Sequence, residues 1–363
     1  MESNTFFMKN SEIFAEAMMR CGIRHHFAYP ITPASDVMKY TAAHMQEWDG
    51  RMFQSESELA VISCLIGLSC TGKLGCVSTS GPGFDLMQEG IGFMAAGELP
   101  CILLDNMRVG PGDGDIIGSQ QDYFMATRGG GHGDYYLPVY APSSGQEIVE
   151  LLPVAIDRAY TYRTPVLFVM DGVMAQMTET VVLPPAKDIA SSYDTDDWAY
   201  TGAKNRKKRA LITGSYDHGD GEKMVRHLMA KAEKIKEAEQ RWEEFGLEDA
   251  EIVLTAFGLP GRICREIAQE SRENGQKVGF IRPISLFPFP EKGFARIPES
   301  VKEILVVEMN YGQMIQDVQL SLNGRCRISH YGHVGGDQPM VKAKEIRNRL
   351  ADIFTKLASN QHG

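Results

Sequence analysis

The stretch "ESELAVISCLIGLSCTGKLGCVSTSGPGFDLMQEG", residues 56–90, decides the fold. Its first half is a nearly continuous apolar run, which predicts a mostly buried helix that ends near Gly72. "KLGCVSTS" then predicts a short strand, and the residues that follow "TS" predict a second helix. A buried strand between two apolar helices is the repeating unit of a parallel sheet covered on both faces.

The same alternation continues on both sides of this stretch. Upstream, "SEIFAEAMMRCG" predicts a helix, "RHHFAY" a strand, and a further helix begins at about Thr32. Downstream, "LPCILLDN", "LPVYAP" and "TPVLFVMDG" predict strands, and a helix separates the last two. About thirty glycine-rich residues after "LPCILLDN" carry no clear element. We therefore expect a parallel-sheet α/β domain over residues 1–183.

The remainder of the chain divides into a linker and a second domain. Residues 184–248 are polar at first, and they end in a long charged helix that extends to about residue 246. On this helix Glu222 and Arg226, and likewise Glu237 and Arg241, are spaced for ion pairs. Residues 249–363 return to alternating strands and helices, which predicts a second α/β domain. Two domains agree with a length of 363 residues.

Composition excludes several classes of protein. The net charge of -10, from 37 basic and 47 acidic residues, indicates no nucleic-acid partner. The seven cysteines include no CxxC pair, which predicts buried free thiols in a reducing cytoplasm rather than disulfides or an iron–sulfur cluster. No apolar run is long enough for a membrane span, and the first residues lack a secretion signal. We expect a cytoplasmic protein without a membrane partner.

Four polar or glycine-rich segments follow predicted strands in the first domain. They are "YPITP" (29–33), "QSESE" (54–58), "TSGPG" (79–83) and "DNMRVGPGDG" (105–114). Parallel sheets bind ligands at the carboxyl ends of their strands, where such segments meet. The sequence therefore predicts a pocket for an anionic ligand at this edge of the sheet.

Glu58 and Thr32 each have a structural and a functional interpretation. An acid in the first turn of a helix interacts well with the helix dipole, but the apolar run after Glu58 also desolvates its carboxylate and requires a partner for it. Thr32 before Pro33 is a good helix N-cap. Pro30 forces an extended approach to this cap, so that Thr32 is held rigidly at a strand end.

Other candidates leave two interpretations open. Arg108 is either a surface charge or a bidentate grip on a carboxylate or phosphate. "SGPG" either binds an anion through backbone N–H groups or forms a tight turn. His132, in "GGGHGD", is either a loop histidine or a catalytic one. "GPGDGD" (110–115) begins like a magnesium–diphosphate motif, but no asparagine follows between Gly114 and Asp171, so we expect no metal site in this chain.

The combined segments resemble a known family. "YPITP", residues 56–90, "AGELPCILLDNMRVGPGDG", "SQQDYFMATRGGGHGDY", "RPISLFPFP" and "VVEMNYGQMIQDV" resemble the alpha-type subunit of 2-oxoacid:ferredoxin oxidoreductases, most closely the 2-oxoisovalerate (3-methyl-2-oxobutanoate) type. The resemblance covers about residues 8–352. It implies a parallel-sheet, thiamine-diphosphate-binding (pyrimidine) domain followed by a transketolase C-terminal-like α/β domain.

The resemblance also implies roles for single residues. Glu58 matches the catalytic glutamate that hydrogen-bonds the aminopyrimidine ring of thiamine diphosphate and so favours loss of the C2 proton. Thr32 and Arg108 match residues that contact the substrate, with Arg108 on its carboxylate. The residues implied to contact the cofactor are Tyr29, Pro30, Ile31, Thr32, Glu58, Ser80 and Gly81.

Partner subunits are implied as well. Thiamine diphosphate would be shared with a beta-type subunit that carries the diphosphate-binding domain and Mg²⁺, and [4Fe–4S] clusters would lie on partner subunits. A gamma-type subunit and a ferredoxin-like subunit or ferredoxin complete the expected hetero-oligomer, with a homodimer as the alternative for the isolated chain.

The implied reaction is the oxidative decarboxylation of a 2-oxoacid, with coenzyme A as co-substrate and ferredoxin as electron acceptor. The alternatives are a 2-oxoglutarate:ferredoxin oxidoreductase subunit and a non-catalytic ligand-binding or assembly subunit. The beta subunit of 2-oxoacid dehydrogenase E1 shares the two-domain plan, but it would not carry "YPITP".

Overall fold

The computed structural model describes residues 4–214, 217, 219–335 and 340–360. Residues 215, 216 and 218 of the predicted linker lie outside the described residues. The strands are β1 (Thr5–Lys9), β2 (His25–Ala28), β3 (Arg51–Gln54), β4 (Cys76–Thr79), β5 (Cys101–Val109), β6 (Asp115–Gly118), β7 (Val139–Tyr140), β8 (Pro165–Asp171), β9 (Thr178–Val182), β10 (Trp242–Phe245), β11 (Ile252–Thr255), β12 (Val278–Pro283), β13 (Ser285–Phe287), β14 (Glu303–Glu308) and β15 (Arg327–Gly332). The α-helices are α1 (Asn10–Arg20), α2 (Ser35–His44), α3 (Glu58–Cys70), α4 (Gly81–Ala96), α5 (Tyr123–Arg128), α6 (Gly145–Tyr162), α7 (Gly172–Gln176), α8 (Asp220–Ala238), α9 (Gly258–Glu273), α10 (Glu291–Phe294), α11 (Met314–Leu322) and α12 (Ala343–Asn360).

The larger sheet has the strand order β13-β7-β8-β5-β4-β2-β3. The six neighbouring strands β7, β8, β5, β4, β2 and β3 run parallel to one another. Strand β13 is an antiparallel edge strand, and β6 folds back antiparallel onto β5. This arrangement confirms the parallel α/β domain predicted from the alternation of strands and helices.

Alternate residues of the central strands pack against different helix layers. Ile102 and Leu104 belong to the apolar cluster that contains α1 and α6, whereas Leu103 between them belongs to the cluster that contains α3 and α4. Successive side chains of a strand point to opposite faces, so both faces of the sheet are covered by helices. This double burial is why residues 101–104 of β5 and 165–170 of β8 are apolar without alternation.

The second sheet has the order β10-β12-β11-β14-β15, with β10 antiparallel and the other strands parallel. Helices α9 and α12 pack with one face of this sheet. Side chains from the other face, among them Val253 and Val306, join the same apolar cluster as α3 and α4 of the first domain. The two α/β units therefore share one continuous core.

Three predicted segments differ from the structure: the start of helix α2, the loop after Val109 and the end of the charged helix. Helix α2 begins at Ser35 with Ala34 as its N-cap. Thr32 is therefore not the cap, and Pro33 is not in the first turn of the helix. The residues before Ser35 form a turn, in which the Thr32–Pro33 bond is cis. The loop after Val109 contains β6 and α5, which are too short to give a clear periodic pattern.

The charged helix ends at Ala238 rather than near residue 246, because Trp242–Phe245 pair with Phe280–Pro283 as a sheet edge. Glu222 binds Arg226 as predicted. Glu237 binds Lys292 of α10 instead of Arg241. Contacts with the second domain thus override the helical pattern at this end.

All seven cysteines are free thiols. Cys21, Cys76, Cys101 and Cys264 are buried, whereas Cys64 is exposed on α3, so the prediction of burial is wrong for that residue. Burial raises the pKa of the Cys21 thiol to about 11. Among the described residues, no helix has both the length and the apolar character that a membrane crossing requires.

Candidate active site

The strand order brings the four predicted segments to one edge of the larger sheet. Strands β3, β2, β4 and β5 are neighbours and parallel, so the segments that follow them emerge side by side. The chain moves from β2 outward to β3 and then returns to the other side of β2 for β4. Such a reversal opens a crevice at the carboxyl ends of the strands, which is where open α/β sheets bind ligands.

Glu58 is the first residue of α3 and lies almost completely inside the protein. Ser57 is the N-cap, and its hydroxyl accepts a hydrogen bond from the Ala60 N–H group. Only 5% of Glu58 is exposed, and its Oε1 atom is buried without a hydrogen-bond partner among the described residues. A buried carboxylate oxygen that lacks a donor destabilises a fold, so Glu58 is suited to receive a donor from a ligand.

Gly83 lets this carboxylate approach the backbone of α4 closely. A Cβ atom at Gly83 would lie 2.3 Å from Glu58 Oε1 and 2.3 Å from Thr79 Oγ1. Thr79 Oγ1 is also buried without a partner in the described part of the chain. Two unpaired oxygens therefore lie close together against a position that admits no side chain, and both can accept hydrogen bonds from a polar ligand.

Arg108, near the end of β5, is held by neutral groups. Its Nη1 donates to the Thr32 carbonyl oxygen and its Nη2 to the Asp113 carbonyl oxygen, both at 2.9 Å. Its Nε atom is buried without a partner among the described residues. Because carbonyl groups orient the guanidinium without neutralising it, its charge remains available to an anionic ligand.

A pocket of about 390 Å³ opens beside Arg108. Its walls include Gly81 of the first turn of α4, Asp122, and Gln313 from the second domain. Sequence reasoning did not find Gln313, because its contribution depends on how the two domains pack.

The first turn of α4 separates Glu58 from Arg108. Gly83 faces the Glu58 carboxylate, whereas a Cβ at Gly81 would lie 3.5 Å from Arg108 Cγ. Within this turn the Ser80 hydroxyl donates to the Asn106 carbonyl oxygen, and the Gly81 N–H donates to Asp105 Oδ1. These bonds favour the tight-turn interpretation of "SGPG", since the Gly81 N–H is already bound within the chain.

The "YPITP" residues lie at the surface of this edge. Tyr29, Pro30 and Thr32 are exposed and Ile31 is half-buried. The Thr32 carbonyl oxygen binds Arg108, which brings two predicted site residues into direct contact. The cofactor contacts assigned to Tyr29–Thr32, Ser80 and Gly81 stay predictions.

Asp105 and Asp122 are further polar residues of this site, and sequence reasoning missed both. Asp105 is completely buried on β5, and an acid inside the apolar strand "CILLDN" was a signal that could have found it. Burial raises its pKa well above the usual range, and burial together with Asp85 raises the pKa of Asp122 to about 7. Asp122 comes from a loop and gave no such signal.

The remaining candidates lie apart from Glu58 and Arg108. His132 is exposed and lines a different pocket of about 400 Å³, together with Phe93 and Tyr135. Residues 110–115 form the hairpin turn between β5 and β6. Within the described ranges, no three His, Cys, Asp or Glu side chains are grouped to hold a metal ion.

A parallel α/β domain with an unpaired carboxylate in its strand-end crevice, followed by a second α/β domain, agrees with the thiamine-diphosphate-binding architecture that the sequence resemblance implies. Residues 16–244 match the family described as "Pyruvate flavodoxin/ferredoxin oxidoreductase, thiamine diP-bdg", and residues 250–344 match "Pyruvate:ferredoxin oxidoreductase core domain II". The chain belongs to this family and is a 2-oxoacid:ferredoxin oxidoreductase subunit. The predicted family and fold class are confirmed.

Characterised relatives include two substrate types. Ketoisovalerate oxidoreductase subunit VorB of Methanothermobacter marburgensis is 36% identical over 336 residues, which is 92% of this chain and 94% of that protein. 2-Oxoglutarate synthase subunit KorA of Methanocaldococcus jannaschii is 32% identical over 355 residues, covering 91% of this chain and 95% of that protein.

Solved structures repeat the architecture. The 2-oxoglutarate:ferredoxin oxidoreductase of Magnetococcus marinus, with 2-oxoglutarate, coenzyme A and succinyl-CoA bound, superimposes with a TM-score of 0.82 at 26% identity. It covers 96% of this chain, which in turn spans only 65% of that one. A split-gene transketolase, an inactive beta4 tetramer, matches over 90% of this chain and 89% of the transketolase chain, with a TM-score of 0.54. At 12% identity this match shows a similar fold alone.

Proposed function

We propose that this chain is the subunit of a coenzyme-A-acylating 2-oxoacid:ferredoxin oxidoreductase that positions thiamine diphosphate and the substrate, and that the substrate is 2-oxoisovalerate. The observation that carries this proposal is the buried Glu58 Oε1 atom, which has no partner in the described chain and packs against Gly83. A carboxylate in this state is what a cofactor ring with an N–H donor requires of its binding site.

Glu58 and Thr79 fit the aminopyrimidine side of thiamine diphosphate. When bound, the cofactor supplies the electron sink that decarboxylation of a 2-oxoacid needs. Glu58 accepts a hydrogen bond from a ring nitrogen and holds the proton there, and the Thr79 hydroxyl donates or accepts beside it. Gly83 lets both oxygens lie beside the first turn of α4, and the buried position of Glu58 would exclude water from this bond.

Arg108 binds the carboxylate of the 2-oxoacid. Two of its nitrogens are fixed by carbonyl oxygens, so the guanidinium is oriented before the substrate arrives. An arginine oriented in this way loses little conformational freedom on binding a carboxylate.

The pocket lining supports a branched-chain substrate over 2-oxoglutarate. Among the described lining residues, Arg108 is the only basic side chain, and Asp85 and Asp122 are acidic. A second substrate carboxylate would be repelled by these acids and would find no second cation. The apolar part of a branched side chain would instead meet Val109, Phe124 and Met125.

A partner chain would complete the site. Tyr29, Phe53, Leu59 and Leu86 lie on elements that flank Glu58, and each is between 37% and 51% exposed. Exposed apolar side chains around an unpaired buried carboxylate indicate a surface that another protein covers. We assign this role to a beta-type subunit with the diphosphate-binding domain and Mg²⁺, and the [4Fe–4S] clusters to further partners, including gamma-type and ferredoxin-like subunits.

The test of this function is reconstitution. The chain alone is expected to be inactive, because it carries only half of the cofactor site. With its partner subunits, thiamine diphosphate and Mg²⁺, it should reduce a viologen dye in a reaction that depends on coenzyme A. Across branched, acidic and aromatic 2-oxoacids, kcat/KM should be highest for 2-oxoisovalerate. A preference for 2-oxoglutarate would identify the alternative substrate type, and no activity with any 2-oxoacid would contradict the proposal.

Replacement of Arg108 by alanine should raise KM for the 2-oxoacid by about 10- to 100-fold, the effect of losing a charged hydrogen bond of about 1.5–3 kcal/mol. We expect a smaller change in kcat, since the lost contact exists in the ground state. Initial rates of the reconstituted complex measure both constants. Arg51→Ala, at the amino-terminal end of β3 and exposed, is the matched control. An unchanged KM in Arg108→Ala would refute the assignment.

A further inference from the structure

Asp105 and Asp122 form a pair of carboxyl groups beside the Arg108 pocket. The Oδ2 atom of each is buried and receives no hydrogen bond from a protein donor within the described residues. The two side chains are nevertheless within hydrogen-bonding reach of each other. Two carboxylates cannot hydrogen-bond to one another unless one of them carries a proton, so this contact requires a protonated partner.

Their surroundings determine which aspartate keeps the proton. Asp105 is completely buried and accepts only the Gly81 N–H, so burial favours its neutral form. The charge of Arg108 stabilises the Asp122 anion, and Asp122 Oδ2 and Arg108 Nε lie 3.8 Å and 4.0 Å from the position that a Cβ atom would take at Gly81. Asp85 of α4, the other charged group that faces Asp122, opposes that ionisation. Asp105 is therefore the donor, and Asp122 is the group that titrates.

The segment that carries Asp122 is fixed to the second domain. The Gln120 N–H donates to the Met309 carbonyl oxygen at 2.9 Å, and Gln120 Oε1 accepts the Met309 N–H at 3.0 Å. Gln313 Nε2 donates to the Gln121 carbonyl oxygen at 2.7 Å. These bonds to Gln120 and Gln121 hold the neighbouring Asp122 beside Arg108. A change in the charge of Asp122 therefore acts on the Arg108 guanidinium, whose hydrogen-bond partners are neutral carbonyl groups.

We propose that Asp122 is a positioning residue for Arg108, and that its protonation state sets how strongly Arg108 binds the carboxylate of the 2-oxoacid. This inference rests on the proposed function, which gives Arg108 that role. Neutral Asp122 leaves the guanidinium charge to the substrate. Ionised Asp122 places a fixed negative charge next to the same guanidinium and competes with the substrate carboxylate.

The sign of the pH dependence follows from this competition. Because the pKa of Asp122 is about 7, the carboxyl group ionises as the pH rises through that value. The KM for the 2-oxoacid should therefore increase several-fold between about pH 6 and about pH 8, where the 2-oxoacid itself remains ionised. In Asp122→Asn, which keeps the shape without the titration, KM should stay low and nearly constant over this range.

The experiment uses the reconstituted complex, with kcat and KM measured across this pH range for the wild type, Asp122→Asn and Asp105→Asn. Asp105→Asn is the matched control, because its amide still donates to Asp122 and the increase in KM should persist. Parallel KM profiles for the wild type and Asp122→Asn would overturn the inference. A purely structural role would lower stability without changing the slope of KM against pH.

A second measurement separates this inference from the proposed function. Infrared difference spectra of the isolated chain should show a protonated-carboxyl band that decreases as the pH rises, and one component of this decrease should be missing in Asp122→Asn. If no 2-oxoacid is turned over, the proposed function fails while the infrared titration still reports the proton on Asp122. If the complex is active and the infrared band does not titrate, the inference fails by itself.

Discussion

Turnover of the reconstituted complex should fall by about 10²- to 10⁴-fold when Glu58 is replaced by glutamine, the range expected for loss of a positioned acid–base group. A carboxamide has the same shape, but it cannot hold the proton that the cofactor ring exchanges. The fold should tolerate the change, because Glu58 Oε1 makes no hydrogen bond within the described chain that could be lost. Steady-state rates and thermal unfolding of the isolated chain test the two parts of this expectation.

Glu56 provides the matched control. It lies two residues earlier, is exposed, and belongs to the same segment before α3. Glu56→Gln should leave both the rate and the stability unchanged. If Glu58 only served the helix dipole, Glu58→Gln would lower stability by about 0.3–1 kcal/mol and leave the rate intact. That outcome would support the non-catalytic assembly subunit.

Gly83→Ala should lower turnover by about 10²-fold without unfolding the protein. The new Cβ would lie 2.3 Å from Glu58 Oε1, so the carboxylate must move by about 1 Å to reach an ordinary contact distance, and a displacement of that size is enough for such a loss. Alanine favours a helix over glycine by about 1 kcal/mol, which offsets part of the overpacking. The decrease should appear in kcat, with the melting temperature of the chain close to the wild-type value.

Gly90→Ala separates a disturbed site from a disturbed helix contact. Gly90 lies two turns further along α4, where a Cβ would meet Ile62 Cγ1 of α3 at 2.4 Å. This variant crowds the same pair of helices away from Glu58, so it should cost stability and retain activity per folded molecule. Equal loss of activity in both alanine variants would mean that the close packing of Glu58 against Gly83 has no special role.

The sequence singled out Glu58 and Arg108 as candidate site residues because they interrupt strong patterns. Glu58 stands at the start of an apolar run, and Arg108 lies near the end of the buried strand β5. In both cases the neighbouring residues dictate burial, and a charged group next to enforced burial has few structural explanations. The parallel sheet was predictable for the same reason, since buried strands and helices alternate without a break.

Features that depend on contacts distant in sequence were not predictable. Asp122 is 17 residues from Asp105, and only the folding of β6 and α5 brings them together. The helix predicted to run to residue 246 ends early because β12, more than thirty residues later, pairs with Trp242–Phe245. The turn before α2, which displaced the predicted cap at Thr32, likewise gave no periodic signal. In each case tertiary contacts outweigh local propensity.

Strand β13 also determines the order in which this protein can be made. Its residues lie beyond the linker, yet they pair with Val139 and Tyr140 and form the outer edge of the first sheet. On the ribosome, the first sheet therefore stays open along β7 until residue 287 has left the exit tunnel. An uncovered strand edge is prone to pair with other chains. The amino-terminal domain cannot be produced in its final form as a separate fragment that stops at the linker, and its completion depends on synthesis of the second domain.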